Sequence, residues 1–261
     1  MTPGAEPVDF AKRLRARESL VGYWIMMDSP SSTERIARLG YDFICMDAQH
    51  GLFGYEGMLD GLRAIDAGAH RSPSRPSAGI VRVGANTTYE IGRALDAGAE
   101  AVIVPVVDDA EQAAAAVASA RYSGHRSYGP QRSSLRIGPV PADSDRDVAV
   151  LAMIETPQGL AQVERIAATP GLDGLYIGPS DLGLAIGAAY PGDPAAAADL
   201  EAAANRIKTA AEANGIAVGY HTRSGEAARQ KLAEGFTITA ISADLVHLEQ
   251  AATKHLADSR P

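Results

Sequence analysis

The sequence predicts one (β/α)8 barrel spanning residues 1–261, and three observations carry that prediction. Eight short apolar runs recur along the chain, each of strand length and apolar throughout rather than alternating, as strands covered on both faces are. Segments with helical spacing separate them, in a chain close to the roughly 250 residues of such barrels. The competing architecture, a doubly wound open sheet, would carry GxGxxG after its first strand, and "GYWIMMDSPSS" contains no such motif.

The strand candidates are "LVGYWIMM" (20–27), "FICMD" (43–47), "GIVRV" (79–83) and "AVIVPVV" (101–107), then "VAVLAMIE" (148–155), "GLYIG" (174–178), "IAVGYH" (216–221) and "TITAISAD" (237–244). Between the first two, "SSTERIARLG" offers a serine cap, an Ile/Leu stripe and a glycine stop. After the fourth, "DDAEQAAAAVASARYSG" is Ala-rich, with acids in its first turn and Arg121 near its end, the polarity a helix dipole favours. "AAAADLEAAANRIKTAAEANG" and "SGEAARQKLAEG" repeat the scheme. "HRSPSRPSAG" (70–79) and the segment 123–145 read as loops, and the second is long enough to expect a function of it.

Composition bounds the partners. A net charge of −8 argues against nucleic acid or an anionic membrane surface, both of which would repel such a chain. No apolar stretch is long enough to span a bilayer, and the first twenty residues lack the apolar centre of a signal peptide. Cys45, the single cysteine, excludes an internal disulfide and suits a reducing cytoplasm; its apolar neighbours make it a core residue. A cytoplasmic protein is the expectation.

In a barrel of this class chemistry sits at the carboxyl ends of the strands. Those positions hold Asp47, Gln49 and His50 after the second strand, Arg82 near the end of the third, Glu155 after the fifth and Asp181 after the sixth. Each has a plainer reading: Glu155 as a solvated strand end, Asp181 as a turn cap, Arg82 paired with a structural acid, His50 as a loop histidine. Together on one rim they read as a site. Two carboxylates without a Cys or His cluster suit a hard divalent cation, Mg²⁺ or Mn²⁺, with Co²⁺ as a further candidate, rather than zinc. Such an ion would polarise the carbonyl of a substrate whose carboxylate and carbonyl oxygens are adjacent. The four lysines, Lys12, Lys208, Lys231 and Lys254, all lie in helical patterns, which argues against imine chemistry.

The motifs "DAQHG", "VRV", "ALDAGAEAVIVPVV", "MIETPQGLAQVERIAATPGLDGLYIGPSDLG" and "ISADL", in this order from about residue 20 to about 250, resemble the HpcH/HpaI family of metal-dependent (class II) pyruvate aldolases, in particular its 4-hydroxy-2-oxoheptanedioate and 2-dehydro-3-deoxyglucarate aldolases. The resemblance implies that Glu155 and Asp181 bind the metal, that His50 is the acid/base supported by Asp47, and that Arg82 stabilises the pyruvate enolate. It implies substrate contacts from Gly178, Pro179 and Ser180, a role for Asp96 in a neighbouring subunit's site, and a hexamer with swapped carboxyl-terminal helices. The expected activity is reversible aldol cleavage of a 4-hydroxy-2-oxo acid to pyruvate and an aldehyde. Oxaloacetate decarboxylation and acyl-CoA lysis, through the same enolate site, are the chemical alternatives; a metal-stabilised binding module is the non-enzymatic one. Of the loop arginines Arg126, Arg132 and Arg136, Arg126 is expected to meet the acceptor aldehyde. The stripe Leu245, Leu248, Ala252 and Leu256 could serve the helix swap or pack on its own barrel.

Overall fold

The computed structural model describes residues 10–70, 72 and 76–260, so the expected loop over 70–79 and the reading of the first nine residues lie partly or wholly outside the described residues. Eight parallel strands close into a barrel in sequence order: β1 (Leu20–Ile25), β2 (Phe43–Asp47), β3 (Ala78–Arg82), β4 (Ala101–Val104), β5 (Ala149–Ile154), β6 (Gly174–Ile177), β7 (Ala217–Thr222) and β8 (Ile238–Ala243). All eight runs expected to be strands are strands. The differences at their ends have local causes. Met26 and Met27 leave the ladder because their N–H groups donate to the Asp244 carboxylate, at 2.9 and 3.0 Å. β4 stops before Pro105, which has no N–H to give a ladder.

Helices pack around the strands. They are α1 (Phe10–Arg15), α2 (Pro30–Ala37), α3 (Tyr55–Ala69), α4 (Thr88–Asp96), α5 (Ala110–Ala120), α6 (Pro141–Asp147), α7 (Pro157–Ala161), α8 (Val163–Ala167), α9 (Pro179–Ala185), α10 (Ala197–Ala213), α11 (Gly225–Ala233) and α12 (Asp244–Asp258). The Asp109 and Ser224 side chains cap α5 and α11 by accepting the N–H of Gln112 and Ala227. α2 does without a side-chain cap; Ser29 precedes it, Pro30 presets its first turn, and Gly40 at φ +97° follows its end. The segment 123–145, expected as loop, contains a 3-10 turn (Ser133–Leu135) and begins α6.

Side chains alternate between two cores. One phase of each strand packs outward on the helices, as Ile44, Met46, Val81, Val102 and Val150 do. The other fills the barrel: Phe43 and Cys45, Ile80, Ile103, Leu151 and Met153, Tyr176, Ala217. Large rings need small neighbours there. A Cβ at Gly22 would lie 2.2 Å from the Phe43 ring, and one at Gly219 2.3 Å from the Tyr176 ring. α1 closes the amino-terminal end, its Phe10 edge-on to Phe43 with ring centroids 5.8 Å apart. Among the described residues no helix is long and apolar enough to cross a membrane.

Candidate active site

The inward phase, continued one step past the apolar layers, sets the open end of the barrel. Phe43–Cys45 leads to Asp47, Ile80 to Arg82, Met153 to Glu155, Tyr176 to Gly178, Ala217–Gly219 to His221, and Leu20–Gly22 to Trp24. A cavity of about 670 Å³ opens here. Asp47, His50, Arg82, Gly178, Pro179, Ser180 and Asp181 all line it, so segments up to about 130 residues apart converge as the strand-end reading expects.

Asp47 is the structural centre. Its carboxylate is fully buried and takes Arg82 Nε at 3.0 Å, Arg82 Nη2, Trp24 Nε1 at 2.9 Å, and the backbone N–H groups of Gln49 and His50, each at 3.1 Å. Burial alone would raise its pKa, but the Arg82 contacts, Trp24 and the His50 N–H outweigh it and hold the carboxyl below its ordinary value. The expected carboxylate–imidazole contact is therefore not made: Asp47 holds His50 by its peptide N–H, and its oxygens are spent on Arg82 and Trp24. The polar end of β2 is built to fix an arginine and a turn. Strand register allows it, because Asp47 pairs directly with Arg82 across β2–β3. Arg82 lies 5.3 Å from the Trp24 ring centre, and no bond joins its Nη1 to another described residue.

Glu155 stands just behind the cavity wall, 5% exposed. Its Oε1 accepts the Val106 N–H at 2.9 Å, and a Cβ at Gly178 would lie 2.9 Å from its Oε2, so only glycine lets the carboxylate sit there. Val106 reaches it by adopting φ +54°, a strained conformation for a β-branched residue. Burial raises the Glu155 pKa, and the negative charge of Asp181 adds to it. A buried carboxylate beside a second one, each an oxygen donor, fits a hard divalent cation, which would offset both the burial and the repulsion. Among the described residues no group of three or more His, Cys, Asp or Glu forms a fuller cage, so solvent or substrate would have to complete the shell.

Two expected residues lie away from this cavity. Arg126 is buried, donating Nη2 to Asp96 Oδ1 at 2.8 Å and Nη1 to Ser144 Oγ at 3.0 Å, with its guanidinium over the Tyr122 ring. It is not in the cavity wall; the expectation that it meets the acceptor gives way to an ion pair inside the chain. Asp96, at the end of α4, is its partner. Lys231, by contrast, does line the wide cavity, but its ammonium is fixed between Glu201 and Glu234 at 2.6 and 2.8 Å. Burial lowers its pKa but these acids together outweigh it, a net rise opposite to what an imine-forming amine needs.

Sequence reasoning passed over Trp24 and His221. Both were within expected strands, and the signal was available: each follows the inward small residue (Gly22, Gly219) by two positions.

The model of the HpcH/HpaI aldolase/citrate lyase family matches residues 20–251. A hydroxypyruvate/pyruvate aldolase of Rhizorhabdus wittichii is 37% identical, over 94% of this chain and 95% of its own. A 5-keto-4-deoxy-D-glucarate aldolase of Klebsiella pneumoniae subsp. pneumoniae is 34% identical, over 97% and 96%. Among solved structures, an HpcH/HpaI aldolase/citrate lyase family protein from Burkholderia cenocepacia J2315 superposes with a TM-score of 0.86 at 34% identity, covering 96% of this chain and 98% of that one. With the barrel, the strand-end cluster and these likenesses together, the chain belongs to the HpcH/HpaI aldolase/citrate lyase family and is a carbon–carbon lyase of the aldolase type.

Proposed function

We infer that this chain cleaves a 4-hydroxy-2-oxo acid reversibly to pyruvate and an aldehyde, with a divalent cation held by Glu155 and Asp181. The observation that carries the reading is the Asp47 clamp, which fixes Arg82 in the cavity wall with Nη1 unshared, close to two carboxylates. Mg²⁺ or Mn²⁺ suits these oxygen donors, and the bound ion would supply Lewis-acid polarisation of the 2-oxo group.

The residues of the chain then divide the work. Arg82 places positive charge where the enolate oxygen develops; removing one such fixed donor costs roughly 3–4 kcal/mol of barrier. His50, exposed on the cavity, takes the proton from the C4 hydroxyl. The C3–C4 bond breaks, its electron pair passes into the pyruvate enolate, and the aldehyde leaves. Protonation of C3 then gives the methyl group of pyruvate. General acid–base help of this kind is worth about 10²–10⁴-fold. Gly178, Pro179 and Ser180 are the candidate substrate-binding segment, since they line the same cavity.

The assembly reading is a hexamer whose α12 helices are exchanged between copies, with Asp96 serving a neighbouring site. Leu248 and Leu256, 58% and 51% exposed, support it: the outer part of the stripe is left uncovered, while Leu245 is half-buried. The free, buried Cys45 is in keeping with a cytoplasmic location.

The decisive experiment follows exchange of pyruvate methyl protons in D₂O, which needs no acceptor. Exchange should vanish with EDTA and return with Mn²⁺ or Mg²⁺. Undiminished exchange in stripped protein would refute the metal reading, and CO₂ release from oxaloacetate exceeding aldol cleavage would select the decarboxylase alternative.

A further inference from the structure

The outward face of β3 borders a second cavity, of about 250 Å³, back to back with the barrel mouth and sharing no lining residue with the wider one. Val81 and Val83 face it from either side of Arg82, whose own side chain turns inward to Asp47. Met58 of α3 and Ala94 of α4 complete an apolar floor. The mouth is polar, lined by Tyr55 at the start of α3 and by Tyr89, Glu90 and Arg93 of α4.

Two opposite charges stand in this cavity without meeting. Glu90 and Arg93 are three apart on one helix, the spacing at which a carboxylate and a guanidinium ordinarily pair. Arg93 instead lies over the Tyr55 ring, with Cζ 3.3 Å from its centre and 5.8 Å from that of Tyr89. A guanidinium held by its face keeps its in-plane N–H groups free for a ligand. Among the described residues neither Arg93 nor the Glu90 carboxylate has a hydrogen-bond or ion-pair partner. A planar donor fork, an acceptor carboxylate and an apolar floor are thus presented together.

Size and charge select what fits. The volume lies below the roughly 300–1,000 Å³ of pockets that hold drug-sized ligands, so the ligand is small. A phosphate or a dicarboxylate would satisfy Arg93 but set its second charge against Glu90, and a plain amine would meet Glu90 against the repulsion of Arg93. A zwitterion matches both charges, with its carboxylate suited to bidentate pairing with arginine. We propose that this cavity binds a free α-amino acid with a small apolar side chain, its carboxylate on Arg93, its ammonium on Glu90 and its side chain on Met58, Val81 and Val83. The proposal does not depend on the aldolase reading.

The test titrates the metal-loaded enzyme, isotopically labelled at its Met and Val methyl groups, with L-valine and two fragments of it. 3-Methylbutanoate lacks the ammonium and 2-methylpropylamine lacks the carboxylate. Methyl NMR reads where each binds and how tightly. L-Valine should shift the Met58, Val81 and Val83 signals and leave those of Met26 and Met153, in the wider cavity, unmoved. A hydrogen bond to a charged group is worth about tenfold or more in affinity, so each fragment should bind at least about tenfold more weakly than valine. Arg93→Met should weaken valine by the same factor and leave 2-methylpropylamine no weaker. Glu90→Gln should weaken valine likewise and leave 3-methylbutanoate no weaker. Arg93→Lys, which keeps the charge without the fork, should fall between Arg93→Met and wild type. No shift at Met58, Val81 and Val83 over the millimolar range, valine affinity unchanged in either Arg93→Met or Glu90→Gln, or 3-methylbutanoate as tight as valine would each overturn the proposal. If Arg93→Met does not fold, Glu90→Gln decides. Pyruvate proton exchange, followed alongside, should stay within about twofold of wild type in these variants; its absence from the loaded wild type would refute the aldolase reading and leave this site standing.

Discussion

Replacing Asp47 by asparagine tests the clamp at the centre of the site. The substitution keeps size and one acceptor oxygen but removes the charge, and it turns an NH₂ group toward donors. In the wild type one oxygen serves Arg82 Nε and two backbone N–H groups, the other Arg82 Nη2 and Trp24 Nε1. Asparagine can keep the first set and must lose the second. Arg82, whose side chain is 11% exposed, is left as a buried cation without its counter-ion. Removing one partner of such a pair costs about 3–5 kcal/mol, which for a chain of this length lowers Tm by about 10 °C. Urea unfolding and calorimetry measure it. The double variant Asp47→Asn/Arg82→Met should regain about 2 kcal/mol over the single one, since it withdraws the stranded charge, yet stay inactive. Asp47→Asn within 1 kcal/mol of wild type, or strictly additive losses in the double variant, would show that the pair is not the clamp described.

Other expectations concern the surrounding groups. Glu155→Gln removes a charge that burial and Asp181 disfavour, so the metal-free protein should be as stable as wild type or about 1 kcal/mol more so, while Mn²⁺ affinity by calorimetry falls at least about tenfold, as it should also in Asp181→Asn; unchanged affinity would remove both as ligands. His221 has a folded pKa of about 4 against an ordinary 6.5, so the unfolded chain takes up the proton first. Its contribution is complete above about pH 6.5 and declines by up to about 3 kcal/mol as pH falls to 4. The wild type should therefore lose more stability over that window than His221→Leu, and parallel pH curves would contradict this. Arg126→Ala, which breaks the bonds to Asp96 and Ser144, should cost about 3 kcal/mol of stability and shift KM for succinic semialdehyde and propionaldehyde equally; a rise confined to the acidic aldehyde would return Arg126 to the acceptor.

The sequence by itself determined the barrel and the rim of the candidate site. Strands buried on both faces must be apolar at every position, so β2, β5 and β6 stand out as unbroken runs, and a polar residue at such a run's end, like Asp47 or Glu155, is conspicuous because nothing in the ladder requires it. The family resemblance rests on the same strand-end motifs. What the tertiary structure alone decided is which partner each of those polar groups takes. Asp47 meets Arg82 and Trp24 rather than the His50 imidazole, Arg126 turns to Asp96 and away from the cavity, and His221 faces the cavity edge-on to Trp24. α12 keeps Leu248 and Leu256 exposed, and Val106 strains its backbone to reach Glu155. The physical reason is common to all of them. Burial and period are local properties that each segment carries with it, whereas a hydrogen bond of about 3 Å depends on where strands far apart in the chain come to rest beside one another.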